Sequence, residues 1–146
     1  MGTNIEVTAE DGNIFRAYLA EPEGSPKGAL VVVQEIFGVN PHIRSVVDRY
    51  AEKGYVVIAP ALFDRVQKNV ELKYDEIGIE EGRRIAFEGV TMDQVITDIK
   101  GACEAVSYAG KIGIVGYCWG GTISYVAAAR LSDKISAASG YYGGQI

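Results

Sequence analysis

The chain has 146 residues, 48% hydrophobic and 23% charged, which is the length and composition of one globular domain with a real core. Its 14 basic and 19 acidic residues give a net charge of −5 with Lys and Arg scattered, which argues against a nucleic-acid partner, and no apolar run approaches the roughly 20 residues of a membrane span. One histidine and two separated cysteines can build neither a tetrahedral zinc site nor a disulfide framework; no metal and no cofactor is expected, Cys118 should be a free thiol, and the absence of a basic, apolar leader points to the cytoplasm.

Ile5 to Ala9 and Ile14 to Ala20 alternate around Asp11-Gly12-Asn13, the pattern of an antiparallel hairpin. After a proline-bearing turn, Gly28 to Gln34 is a continuous apolar run, which predicts a strand buried on both faces. Asn40 caps a predicted helix with Pro41 in its first position, Ile43, Val46, Val47 and Tyr50 follow at helical spacing, and Gly54 stops it. Tyr55 to Ala59 is the next buried strand. Asp64 to Gly89 is polar and irregular, read as a loop with a short exposed helix that lies over something as a lid or rim. Thr91 to Val106 puts Met92, Val95, Ile96, Ile99, Cys103 and Val106 on one helical face. Lys111 to Tyr117, Thr122 to Leu131 and Ile135 to Tyr142 complete the series as strand, helix and strand. The order predicts an α/β fold in a single domain over residues 1–146, with a mostly parallel sheet and an N-terminal antiparallel hairpin.

Gly116-Tyr117-Cys118-Trp119-Gly120 joins the predicted strand after Lys111 to the helix that follows. A strand-to-helix turn this sharp strains the backbone of its central residue and demands small residues two positions to either side, which Gly116 and Gly120 supply. The helix N-terminus below it favours a thiolate and a developing oxyanion. The pattern reads as a nucleophile elbow with cysteine in the nucleophile position. Ligands of parallel sheets bind beyond the carboxyl ends of the strands, and Glu35 lies just past another such end, so Cys118 and Glu35 should converge.

At QEIFGVN (Gln34 to Asn40), VGYCWGG (Val115 to Gly121) and GYYG (Gly140 to Gly143), the chain resembles the dienelactone hydrolase family, a cysteine-dependent branch of the α/β-hydrolase fold. The resemblance runs essentially end to end. It implies hydrolysis of a carboxylic ester or lactone, with carboxymethylenebutenolide (dienelactone) as reference substrate, through an acyl-enzyme on Cys118. It implies that Glu35 is the carboxylate that contacts the thiol and helps to generate thiolate when substrate binds. The backbone N–H groups of Ile36 and Trp119 match the family's oxyanion hole, in line with the general rule for this turn. A thiolate facing two fixed donors can also attack a phosphotriester, so weak phosphotriester hydrolysis is a further expectation. Phe37 reads as pocket wall or as core aromatic.

The sequence departs from the family in two respects. Triad acid and histidine follow the nucleophile in this fold, yet only Asp133, in a predicted surface turn, comes after Cys118, and the sole histidine, His42, sits in the first turn of the helix after Glu35. The chain is therefore expected to be the N-terminal part of a longer hydrolase or a half-length protein, incomplete at its C-terminus and completed by a C-terminal fragment or a second copy. The family grips a substrate carboxylate with arginines, and an ungapped count places Glu80 where one should stand, with Arg83 and Arg84 nearly a turn further on. Those two are candidate carboxylate ligands or solvated charges, and a neutral ester is as good a substrate as the lactone. The competing reading is a noncatalytic α/β binding module, a pseudoenzyme that keeps the pocket without the triad. A glycine-rich nucleotide site fails because Gly113 to Cys118 does not follow G-x-G-x-x-G.

Overall fold

The computed structural model describes residues 1–144. The alternation near the N-terminus forms the expected hairpin: β1 (Thr3–Thr8) pairs antiparallel with β2 (Ile14–Ala20), Thr8 facing Ile14. β3 (Ala29–Val33) and β4 (Val56–Pro60) are the two apolar runs. Val31, Val32 and Val33 are fully buried, which is why that stretch carries no polar alternation. With β5 (Ile112–Tyr117) and β6 (Ile135–Tyr141) they make one six-stranded sheet in the order β1-β2-β4-β3-β5-β6. β2 meets β4 antiparallel; β4, β3, β5 and β6 run parallel.

Helices cover both faces. α1 (Pro41–Glu52) begins where the Asn40 side chain accepts the Ile43 N–H at 3.1 Å, and its buried stripe of Ile43, Val46, Val47 and Ala51 packs on Val32, Val57, Ala59 and Val115. α3 (Met92–Ala105), started by a Thr91/Gln94 capping box, and α4 (Trp119–Arg130) lie on the other face against Val31, Val33, Ile58 and Ile114. The buried face of α3 also holds Asp98, whose side chain is 1% exposed. Arg65 answers it with two hydrogen bonds of 2.9 and 2.8 Å, and the Asn13 amide adds a third at 3.1 Å.

Two elements differ from expectation. α4 starts at Trp119 rather than Thr122, because Cys118 is itself the N-cap residue and the glycine pair forms the first turn. The irregular stretch contains a short 3₁₀ turn at Leu62–Arg65, α2 (Glu76–Arg84), and a π-helical turn at Ile85–Gly89 that continues α2. α2 exposes Ile77 but buries Gly82, where a Cβ would stand 2.1 Å from the Ile36 carbonyl oxygen. The object it lies over is thus the loop after β3. At the far edge, β6 pairs only with β5 among the described residues, and every β6 residue after Ile135 is exposed.

Candidate active site

Val33 faces Gly116 across the parallel β3–β5 pair, so the two strands end side by side. The loop from Glu35 and the turn at Cys118 leave from neighbouring points at the same end of the sheet. Cys118 has φ 58° and ψ −123°, a left-handed conformation that a non-glycine residue holds only under constraint. The constraint is visible in the close packing: a Cβ on Gly116 would lie 1.9 Å from the Gly120 carbonyl oxygen, and one on Gly120 2.4 Å from that of Val33. From the other side, the Cys118 N–H donates to the Tyr141 carbonyl at 2.9 Å, and the Thr122 hydroxyl donates to that of Gly144 at 2.8 Å. Tyr141 at the end of β6 and Gly144 after it therefore pin the Cys118 turn and the first turn of α4.

Cys118 is partly exposed and opens into a cleft of about 680 Å³. Ile36, Trp119, Ala86, Phe87, Val90 and Val95 give the cleft an apolar lining, while Thr122, Tyr142 and Arg83 bring polar atoms. Among the described residues, neither the Ile36 nor the Trp119 backbone N–H donates to a protein acceptor, and both residues border this cleft. The indole of Trp119 is buried against Phe63 with ring centroids 5.4 Å apart, which fixes the first residue of α4.

Glu35 accepts the Tyr74 hydroxyl on one oxygen at 3.0 Å and the Tyr142 hydroxyl on the other at 3.3 Å. No hydrogen bond joins it to Cys118 among the described residues. Partial burial, reinforced by the neighbouring carboxylate, raises both tyrosine hydroxyls above their usual range, so they remain protonated donors. Tyr142 also lines the cleft into which Cys118 opens, so the residue that holds the carboxylate borders the thiol's cleft. Neither tyrosine was singled out from sequence. Tyr142 had a signal, since GYYG closes a strand whose carboxyl end is at the site; Tyr74 had none.

The remaining candidates separate. Phe37 is 8% exposed, belongs to the core, and sets its ring against Tyr74 at 4.4 Å; the core alternative holds for it, and it does not line the cleft. Arg83 lines the cleft with its guanidinium 5.5 Å from the centre of the Phe87 ring, whereas Arg84 is turned back to pair with Glu81. His42 is exposed on α1, outside the cleft lining.

A largely parallel sheet with helices on both faces and a strained cysteine turn at the end of a central strand is an α/β-hydrolase fold. The family model for dienelactone hydrolases matches residues 15–146, and the chain belongs to that family. Carboxymethylenebutenolidase 1 of Cupriavidus pinatubonensis is 32% identical over 147 residues, which cover 98% of this chain and 62% of that protein. The carboxymethylenebutenolidase of Pseudomonas putida is 31% identical over 144 residues, 95% of this chain and 60% of its own. A crystal structure of a Klebsiella pneumoniae protein designated as a dienelactone hydrolase superposes with a TM-score of 0.81 at 31% identity, covering 100% of this chain and 62% of that one. The chain thus spans about three fifths of the length of these relatives.

Proposed function

We propose that these residues carry the nucleophile and oxyanion site of a cytoplasmic hydrolase that cleaves small carboxylic esters or lactones through Cys118. The observation that carries the reading is the strained Cys118 turn opening, beside the unpaired N–H groups of Ile36 and Trp119, into an apolar cleft. The thiolate attacks the carbonyl carbon, a C–S bond forms, and the carbonyl oxygen takes the negative charge between the two N–H groups. Collapse of that intermediate breaks the ester C–O bond, releases alkoxide or enolate, and leaves a thioester for water to cleave. Glu35 accepts the thiol proton, and Arg83 is the cation available to a substrate carboxylate. The same two donors suit the nonbridging oxygen of a phosphotriester, which supports weak promiscuity toward that class. Deacylation needs a base for water, and a C-terminal segment or second copy beside β6 supplies it.

The activity for which these relatives are named, carboxymethylenebutenolidase, fits this chemistry. Intact-mass spectrometry after exposure to an activated aryl ester tests it: one acyl group should appear on Cys118 and none on Cys118→Ala. Acylation elsewhere, or none on the wild-type chain, would overturn the reading.

A further inference from the structure

Asn40 is 3% exposed, and its side chain is committed in both directions. Its carbonyl oxygen accepts the Ile43 N–H that starts α1, so its amide nitrogen must face the other way, where it donates to the Tyr74 hydroxyl oxygen at 2.9 Å. With that acceptor position taken, the Tyr74 proton is directed at Glu35, whose oxygen is 3.0 Å away. Phe37 holds the ring from the side in an edge-on contact. On the opposite carboxylate oxygen stands the Tyr142 hydroxyl, presented by a residue whose φ of 41° departs from the extended path of β6. The hydrogen bonds therefore run one way, from Asn40 through Tyr74 to Glu35, and from Tyr142 to Glu35. The sulfur receives none of them.

We propose that Tyr74, oriented by Asn40, is a positioning residue that together with Tyr142 clamps the Glu35 carboxylate away from the Cys118 thiol in the resting protein. The clamp deepens the reading above, in which Glu35 takes the thiol proton, by naming what restrains that base beforehand. Two hydroxyls engage both carboxylate oxygens, so no like charge stands against the sulfur until Glu35 is released to take the thiol proton. Of the groups around the sulfur, Arg83 from α2 and Tyr142 after β6 line the same cleft, and Glu35 and Tyr74 stand beyond Tyr142. The thiol on α3, Cys103, is fully buried and takes no part.

Alkylation of Cys118 by iodoacetamide at pH 7 reads the clamp without requiring any ester chemistry. Tyr74→Phe removes one hydroxyl from an exposed side chain and leaves its ring on Phe37. The freed carboxylate should reach the thiol and slow alkylation by about tenfold, the effect of one nearby like charge. Tyr142→Phe, which removes the other hydroxyl, should slow it in the same sense. In a Glu35→Gln background the Tyr74→Phe effect should vanish, which a merely structural role for Tyr74 would not produce. Tyr74→Phe alkylating at the wild-type rate or faster, or slowing equally with Gln at position 35, would overturn the clamp. The ester adduct of the previous section is read separately, so either idea fails without the other.

Discussion

Burial treats the two cysteines of this chain differently. Cys103, fully enclosed beneath α3, has its thiol pushed up to about 11 by desolvation, so it stays protonated at every pH below that value. A thiol reagent at pH 7 should therefore label the native protein once, at Cys118, with Cys103 reacting only after denaturation; peptide mapping of the labelled site checks this. Glu35→Gln should slow acylation by aryl esters by about 10² to 10⁴, the usual loss when a general base is removed, read from the burst phase of stopped-flow traces. Cys118 was legible in sequence because the turn that carries it excludes side chains at fixed offsets, and glycine at those offsets is a steric requirement written directly in residue identity. The position of its proposed carboxylate partner, Glu35, at the same end of the sheet was legible from its place after an apolar run. The hydroxyls around that partner were not: Tyr74 reaches Glu35 from a loop with no periodicity, and nothing local distinguishes it from a solvated tyrosine. Arg83 and Arg84 are neighbours with equal credentials in sequence, separated only by which way α2 turns them.

Close backbone approach governs the elements as it does the turn. Gly82→Ala would drive a methyl group against the Ile36 carbonyl, 2.1 Å from its oxygen, and must lift α2 off the loop that offers the Ile36 N–H. The expected result is a loss of about 1 to 3 kcal/mol in urea unfolding, typical of overpacking, accompanied by slower acylation of Cys118. Asp98→Ala would act outside the cleft lining. It strips the 11%-exposed Arg65 of its two-point partner and should cost about 3 kcal/mol without altering the adduct mass or site. Strands were readable because burial on both faces leaves uninterrupted aliphatic runs such as Ala29 to Val33. α4 was placed three residues late because a glycine pair opposes helix formation locally and is overridden by packing against β3 and β6. The π turn after α2 was invisible for a related reason: its residues are ordinary helix formers, and only their packing widens the turn.

At the scale of the whole molecule, the described residues bring together a strained cysteine turn, two unpaired N–H groups and a carboxylate, but the sole histidine of the 146 residues is exposed on α1. The isolated chain should release about one product per Cys118 and then fall nearly silent, since removing one member of a nucleophile-base unit forfeits most of its turnover. Burst amplitude against steady-state rate measures both halves of that statement. β6, paired on one side among the described residues and exposed from Ser136 onward, is an open template for another strand. Light scattering across a concentration series should accordingly show association, weakened by a lysine placed at Ala138. The fold class followed from the order of elements, because a strand-helix alternation leaves a parallel sheet few ways to close.

The anchors of the nucleophile turn have a temporal meaning. Tyr141 holds the Cys118 N–H, Tyr142 holds Glu35, and Gly144 receives the Thr122 hydroxyl, so three fastenings come from one short stretch that leaves the ribosome after everything it fastens. During synthesis the cysteine is made long before its surroundings can tighten. A nascent chain carries the thiol before its turn is fastened, and the arrival of Tyr141 to Gly144 ties the turn, the carboxylate and α4 together.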